Sequence, residues 1–179
     1  MGYVVVFGQL LVLGIFLVSL VGKVRSRQAY REFITATGRL LAVGPGRARW
    51  LGLLAVAAEA AIVVLVAVPV TASVGFVLAV VTLGGFGYAL VRALRREEKA
   101  APCHCFGASE TPVGRRHVIR NLVLIVAALA ALGAAFTGTP GGVEIPGVVI
   151  AAAAAAMCVL VVVRLDDIAE LFRPVDVRR

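Results

Sequence analysis

Residues Leu51 to Val91 form one apolar tract that carries a single charge, Glu59. About 20 residues of helix cross the hydrocarbon core of a bilayer, so this tract is too long for one span and too apolar for a soluble surface. Pro69 divides it into a span near Trp50–Val68 and another near Ala72–Val91, joined by a tight hairpin. Three further apolar blocks stand apart from it: Val4–Val21, Val118–Phe136 and Pro146–Val163. Five spans are therefore expected. The composition agrees, being 61% hydrophobic and 16% charged, against about half and about a quarter in an ordinary soluble domain.

The spans are expected to be helices. Backbone groups in lipid must be satisfied within the segment, and these blocks lack the period-two alternation of a membrane barrel. The first block follows no basic n-region and contains no Ala-x-Ala cleavage site, so it reads as a retained span rather than a signal peptide. Gly84, Gly85 and Gly87, together with Ala151–Ala156, offer small surfaces where helices could approach closely. The connecting stretches RSRQAYREF, TGRLLAVGPGRAR and TGTPGGVEIPG read as loops by composition, and the tail RPVDVRR as frayed.

A net charge of +8 could suggest a nucleic-acid partner, but its distribution argues for a membrane. Seven Lys/Arg fall between Lys23 and Arg49, seven between Arg92 and Arg120, and four between Arg164 and Arg179. With five spans these regions share one side and hold all 18 basic residues. The positive-inside rule then predicts an outside N-terminus and an inside C-terminus. The basic loops also face anionic lipid headgroups. No nucleic-acid partner is expected.

Against this apolar background, APCHCFG at 101–107 stands out. Thr111-Pro112 reads as the start of the fourth span, with Thr as N-cap and Pro at the first helical position. Cys103 and Cys105 then lie in a loop near the membrane surface, on the cytoplasmic side by the charge count. A disulfide between residues two apart closes a small, strained ring, and strained bridges are the exchangeable ones. His104, Arg115, Arg116 and His117 supply positive character that favours a thiolate. Three readings stay open from the residues alone: an exchangeable dithiol, an inert loop, and a metal site drawing on Cys103, His104, Cys105 and His117. The metal reading lacks the two-to-four-residue ligand spacing of structural zinc sites and a second Cys pair. Cys158, in the last span, reads as a small buried apolar residue.

Glu59 is the other singular residue, near mid-membrane in the second span. A carboxylate there must be paired, protonated or facing a polar cavity. It reads either as a proton-handling or quinone-contacting group, or as a buried hydrogen bond to Gln9, Asn121 or a hydroxyl. Lys23, Arg120 and Asn121 are candidate counter-groups, with interfacial snorkelling the plainer reading of Lys23 and Arg120.

CHCFG at 103–107, followed by Arg120-Asn121 and an apolar helix, resembles the MauE (methylamine utilisation) family within the wider DoxX-like membrane proteins. LVGKV at 20–24 with Phe33 downstream, and AAEAAIVVLV at 57–66, match its other landmarks in order. The resemblance, over roughly residues 3 to 136, implies an all-α, polytopic membrane helical bundle with a four-helix core over 1–136; an additional transmembrane helix over 137–164 and a polar tail over 165–179 lie beyond that core. It further implies thiol–disulfide chemistry supporting maturation of exported, disulfide-containing proteins, in the family the methylamine dehydrogenase small subunit, beside a thioredoxin-like partner. Cys103 and Cys105 would be the redox pair, and Glu59, Lys23, Arg120 and Asn121 the polar lining near it. The arrangement is also similar to vitamin K epoxide reductase, which passes electrons to quinone, but its Cys-x-x-Cys and second loop pair are missing here. A second dithiol is therefore expected from a partner. The competing expectation is a non-catalytic membrane scaffold with a structural cysteine pair. A transporter is disfavoured, because the spans hold few polar groups and no repeated broken helices.

Overall fold

The computed structural model of the chain describes residues 2–96, 115–137 and 144–171. Among them the fold is all helical: α1 (Gly2–Val24), α2 (Arg27–Leu41), α3 (Pro45–Ala67), α4 (Ala72–Arg95), α5 (Arg115–Thr137) and α6 (Ile145–Leu171). Five of these are long and apolar enough to cross a membrane, all but α2. The protein is a multi-pass membrane helical bundle.

The stretch expected to be loop after the first span is instead helix α2, which corrects the composition-based reading. Its charges are spaced so that Phe33 and Ala36 turn inward while Arg27, Arg31 and Arg39 stay exposed. A helical period, which average polarity hides, therefore organises it. Ser26 caps its start by accepting the Ala29 N–H at 3.0 Å. Ala42 ends it in the left-handed region (φ 52°), with N–H groups of Ala42 and Val43 returned to the Arg39 and Gly38 carbonyls.

The hairpin at Pro69 is a short 3-10 turn, Pro69–Thr71. Inside lipid the last carbonyls of α3 need donors. Thr71 Oγ1 donates to Leu65 O at 2.8 Å, and Gln9 Nε2 to Val66 O at 3.3 Å.

The core is formed by α1, α3, α4 and α5 with Ala155 of α6, and Phe76, Ile62 and Ala128 are wholly buried at its centre. Close approach uses small residues, but not the ones expected. No described atom lies within 4 Å of where a Cβ would stand at Gly84, Gly85 or Gly87. Gly84 and Gly85 are exposed and Gly87 is half-buried, and no described neighbour needs their small size. The contacts fall instead at Gly8, where a Cβ would run into Ala131, and at Gly75, where it would meet Val66 and the Leu65 backbone. Helix α6 lies parallel to α1: Gly147 faces Tyr3 and Gly14 faces Val159. Of the expected alanine surface, Ala151 and Ala155 are buried, while Ala153, Ala154 and Ala156 are exposed. Cys158 is exposed on the outer side of α6, correcting its expected burial. A helix that buries one narrow stripe leaves its remaining apolar side chains to lipid.

Candidate functional site

Four helices meet around one charge pair. Ser19 and Lys23 lie one turn apart near the end of α1, so their side chains share a face. Glu59 sits on the inward side of α3 with Ile62 and Val66. Lys23 Nζ donates to Glu59 Oε1 at 2.6 Å and to Ser19 Oγ at 2.6 Å. Ser19 Oγ in turn donates to the same carboxylate oxygen at 3.1 Å. Lys23 and Glu59 are 2% and 1% exposed. The ammonium also faces two rings, Phe33 on α2 at 5.0 Å and Phe86 on α4 at 5.9 Å from their centroids. Both distances lie within cation–π range.

Snorkelling is thereby corrected for Lys23. Side chains tilt toward the N-terminus of their own helix. A lysine at the C-terminal end of a span is thus aimed back into the bundle, where Ser19 and Glu59 receive it. Arg120 is buried as well, 5% exposed, rather than extended to the interface.

The pair leaves one acceptor over. Glu59 Oε2 is buried and has no hydrogen-bond partner among the described residues. A buried carboxylate oxygen without a donor is costly unless a proton or a ligand reaches it. The cluster can therefore hold a negative charge beside a positive one while presenting one oxygen for proton exchange.

Helix α5 brings a second polar group to the same end. His117, Arg120 and Asn121 are all buried and continue into the apolar stripe Leu124, Ala128 and Ala131. Val118 at the start of this helix packs on Leu90 of α4, as do Leu40 of α2 and Leu94. Leu90 is one turn from Phe86, which faces Lys23. Sequence reasoning treats His117 only as positive charge, or a metal ligand, beside the cysteines, and misses its burial. Its i, i+3, i+4 spacing with Arg120 and Asn121, in phase with the apolar stripe, is the signal for its inward position.

Of the site residues expected from sequence, the structure joins Lys23 and Glu59 directly. It buries Arg120 and Asn121 on α5. Cys103, His104, Cys105 and the Thr111-Pro112 helix start lie outside the described residues, between the end of α4 and the start of α5.

No curated protein and no solved structure matches the chain. The family profile of methylamine utilisation protein MauE matches residues 1–136, a stretch that takes in Lys23, Glu59, both cysteines of CHCFG and the polar start of α5. With about three quarters of its length matched, and a multi-pass helical bundle to go with it, the chain belongs to the MauE family of methylamine utilisation proteins.

Proposed function

We propose that this protein is an integral membrane thiol–disulfide redox component, with Cys103 and Cys105 as the exchanging pair and a thioredoxin-like protein as partner. The reaction is a two-electron exchange. One dithiol closes to a disulfide as the partner's disulfide opens to a dithiol, two protons moving with the electrons. The service it performs is maturation of disulfide-containing exported proteins, the methylamine dehydrogenase small subunit in the family. The observation that carries the reading is the buried Lys23–Glu59–Ser19 cluster, at the bundle end where the cysteine segment joins α4 to α5.

Each residue then has a task. Cys103 and Cys105 exchange electrons, with His104 between them and Arg115 and Arg116 nearby favouring the attacking thiolate. Glu59, poised by Lys23, holds or releases a proton at Oε2. Arg120 and Asn121 supply polar groups on the helix that follows the pair. Quinone is the proposed second carrier class, with Glu59 as the protonatable group on its side of the exchange. When bound it would supply a two-electron, two-proton couple.

The all-one-sided basic residues support a cytoplasmic pair, an outside N-terminus and an inside C-terminus. In that orientation the pair draws on cytoplasmic reducing equivalents.

The test is cysteine trapping in cells lacking the endogenous gene. Cys103→Ser and Cys105→Ser singly should each be tried, one of them accumulating a mixed disulfide with a partner. The double variant should lose client disulfide formation. Undiminished client maturation with the double variant, and no trapped species with either single one, would sink the redox reading and favour a membrane scaffold.

A further inference from the structure

On the same side of the bundle, but outside the Lys23–Glu59 cluster, an open cleft of about 730 Å³ lies between the end of α1, the first turns of α2 and the start of α3. Arg27 and Arg31, one turn apart on α2, and Arg49 on α3 bring three guanidinium groups to it. Val24 and Ile34 give it apolar lining, and Tyr30 adds a phenol. Among the described residues no Asp or Glu lines it. The carboxylate nearest in sequence, Glu32, accepts a hydrogen bond from Gln28 Nε2 at 2.9 Å. None of the three arginines is in an ion pair with a described residue.

Three like charges around one cavity repel each other, so the cleft is at its most stable with an anion inside. Guanidinium groups match the oxygens of phosphate in paired hydrogen bonds. The apolar lining adds a second requirement, because a free inorganic anion would leave Val24 and Ile34 unused. An amphiphile with a phosphate at its polar end satisfies both. Depth agrees with this. The cleft lies where the apolar part of α1 ends and that of α3 begins, beside Trp50, which is 70% exposed. Exposed Trp side chains settle at headgroup level.

We propose that this cleft is a binding site for the headgroup phosphate of an anionic glycerophospholipid, taken from the leaflet on which the basic segments stand. The bound lipid would join α2 to α3 and neutralise the arginine cluster. The inference stands independently of the redox reading.

The test is native mass spectrometry of the full chain, delipidated in detergent and titrated with phosphatidylglycerol, phosphatidylcholine or inorganic phosphate. Each basic group near an anionic headgroup is worth roughly fivefold in affinity. Phosphatidylglycerol should therefore bind at least ~10-fold more tightly than phosphatidylcholine. The triple variant Arg27→Gln/Arg31→Gln/Arg49→Gln should lose that preference, whereas Arg39→Gln/Arg47→Gln/Arg92→Gln, with the same charge removed elsewhere, should keep it. Should the triple variant aggregate, Arg31→Gln against Arg39→Gln decides, only the first weakening phosphatidylglycerol binding, by about fivefold. Equal binding of the two lipids, or equal loss in the control variants, overturns the site. Displacement of phosphatidylglycerol by an equal concentration of inorganic phosphate overturns the lipid assignment in favour of a free-phosphate site.

Discussion

Lys23 and Glu59 illustrate how two residues that look separately anomalous explain each other. A lysine at a span's end and a carboxylate deep inside another span are each readable as isolated oddities. Joined at 2.6 Å and enclosed by α1, α2, α3 and α4, they form a neutral unit. Removing one partner leaves an uncompensated buried charge, which costs about 3–5 kcal/mol. Replacing both with apolar side chains removes that cost. Lys23→Met alone should therefore destabilise the purified protein strongly, while Lys23→Met/Glu59→Leu recovers most of the loss in thermal unfolding. If the carboxylate handles protons, the double variant folds and still fails to mature client. Full activity in a stable double variant would reduce the pair to a structural tie. Both residues are legible as candidates from sequence because a charge in an apolar tract is rare. Their contact is not, since the inward aim of Lys23 depends on where α1 ends and on Glu59 facing it. Cys158 shows the reverse case. Its apolar neighbours in sequence suggest burial, yet α6 buries too little for neighbours in sequence to mean neighbours in space.

Among the elements, α2 is the least legible. Ser26 as a cap and the Phe33–Ala36 inward face are present in the sequence, but the helix is short, and charge dominates its composition. Its core residue Phe33 matters because it places a ring over Lys23, so α2 belongs to the site rather than to a loop above it. The glycines mislead in a different way. Small residues in a span allow close approach without requiring it, and only the facing helix decides which are used. Gly75 is used, since a Cβ added there would stand 3.0 Å from Val66 N, whereas Gly84 has open space beside it. Gly75→Ala should separate α3 from α4 and cost roughly 1–3 kcal/mol. Gly84→Ala should be neutral or stabilise by up to about 1 kcal/mol through helix propensity. Unfolding of the two variants in the same detergent measures the contrast, and similar losses in both would contradict the packing of this hairpin.

For the whole molecule, the number of spans is readable because length and apolarity are local properties, whereas their arrangement depends on which faces meet. The family match ends at residue 136, yet α6 is no loose appendage. It runs parallel to α1, its Ala155 enters the same core as Phe76 and Ala128, and the Glu144 N–H donates to Tyr3 Oη at 3.2 Å. Five crossings would put the start of α1 and the end of α6 on opposite sides of the membrane. They would also put the start of α2, the start of α3, the end of α4 and the start of α5 on one side. The proposed lipid cleft and the helix ends that flank the cysteine segment would then share a face with the basic residues of α2 and α3. This makes orientation a single question with one answer for both. In a Cys158→Ala background, an impermeant thiol reagent should modify Cys103 and Cys105 in inverted membranes and leave them untouched in intact cells. The Cys158→Ala change removes the one other thiol, which on its lipid-facing helix would add background without reporting on either aqueous side. Labelling in intact cells would place the pair outside, reverse the expected electron source and move the arginine cleft to the outer leaflet with it.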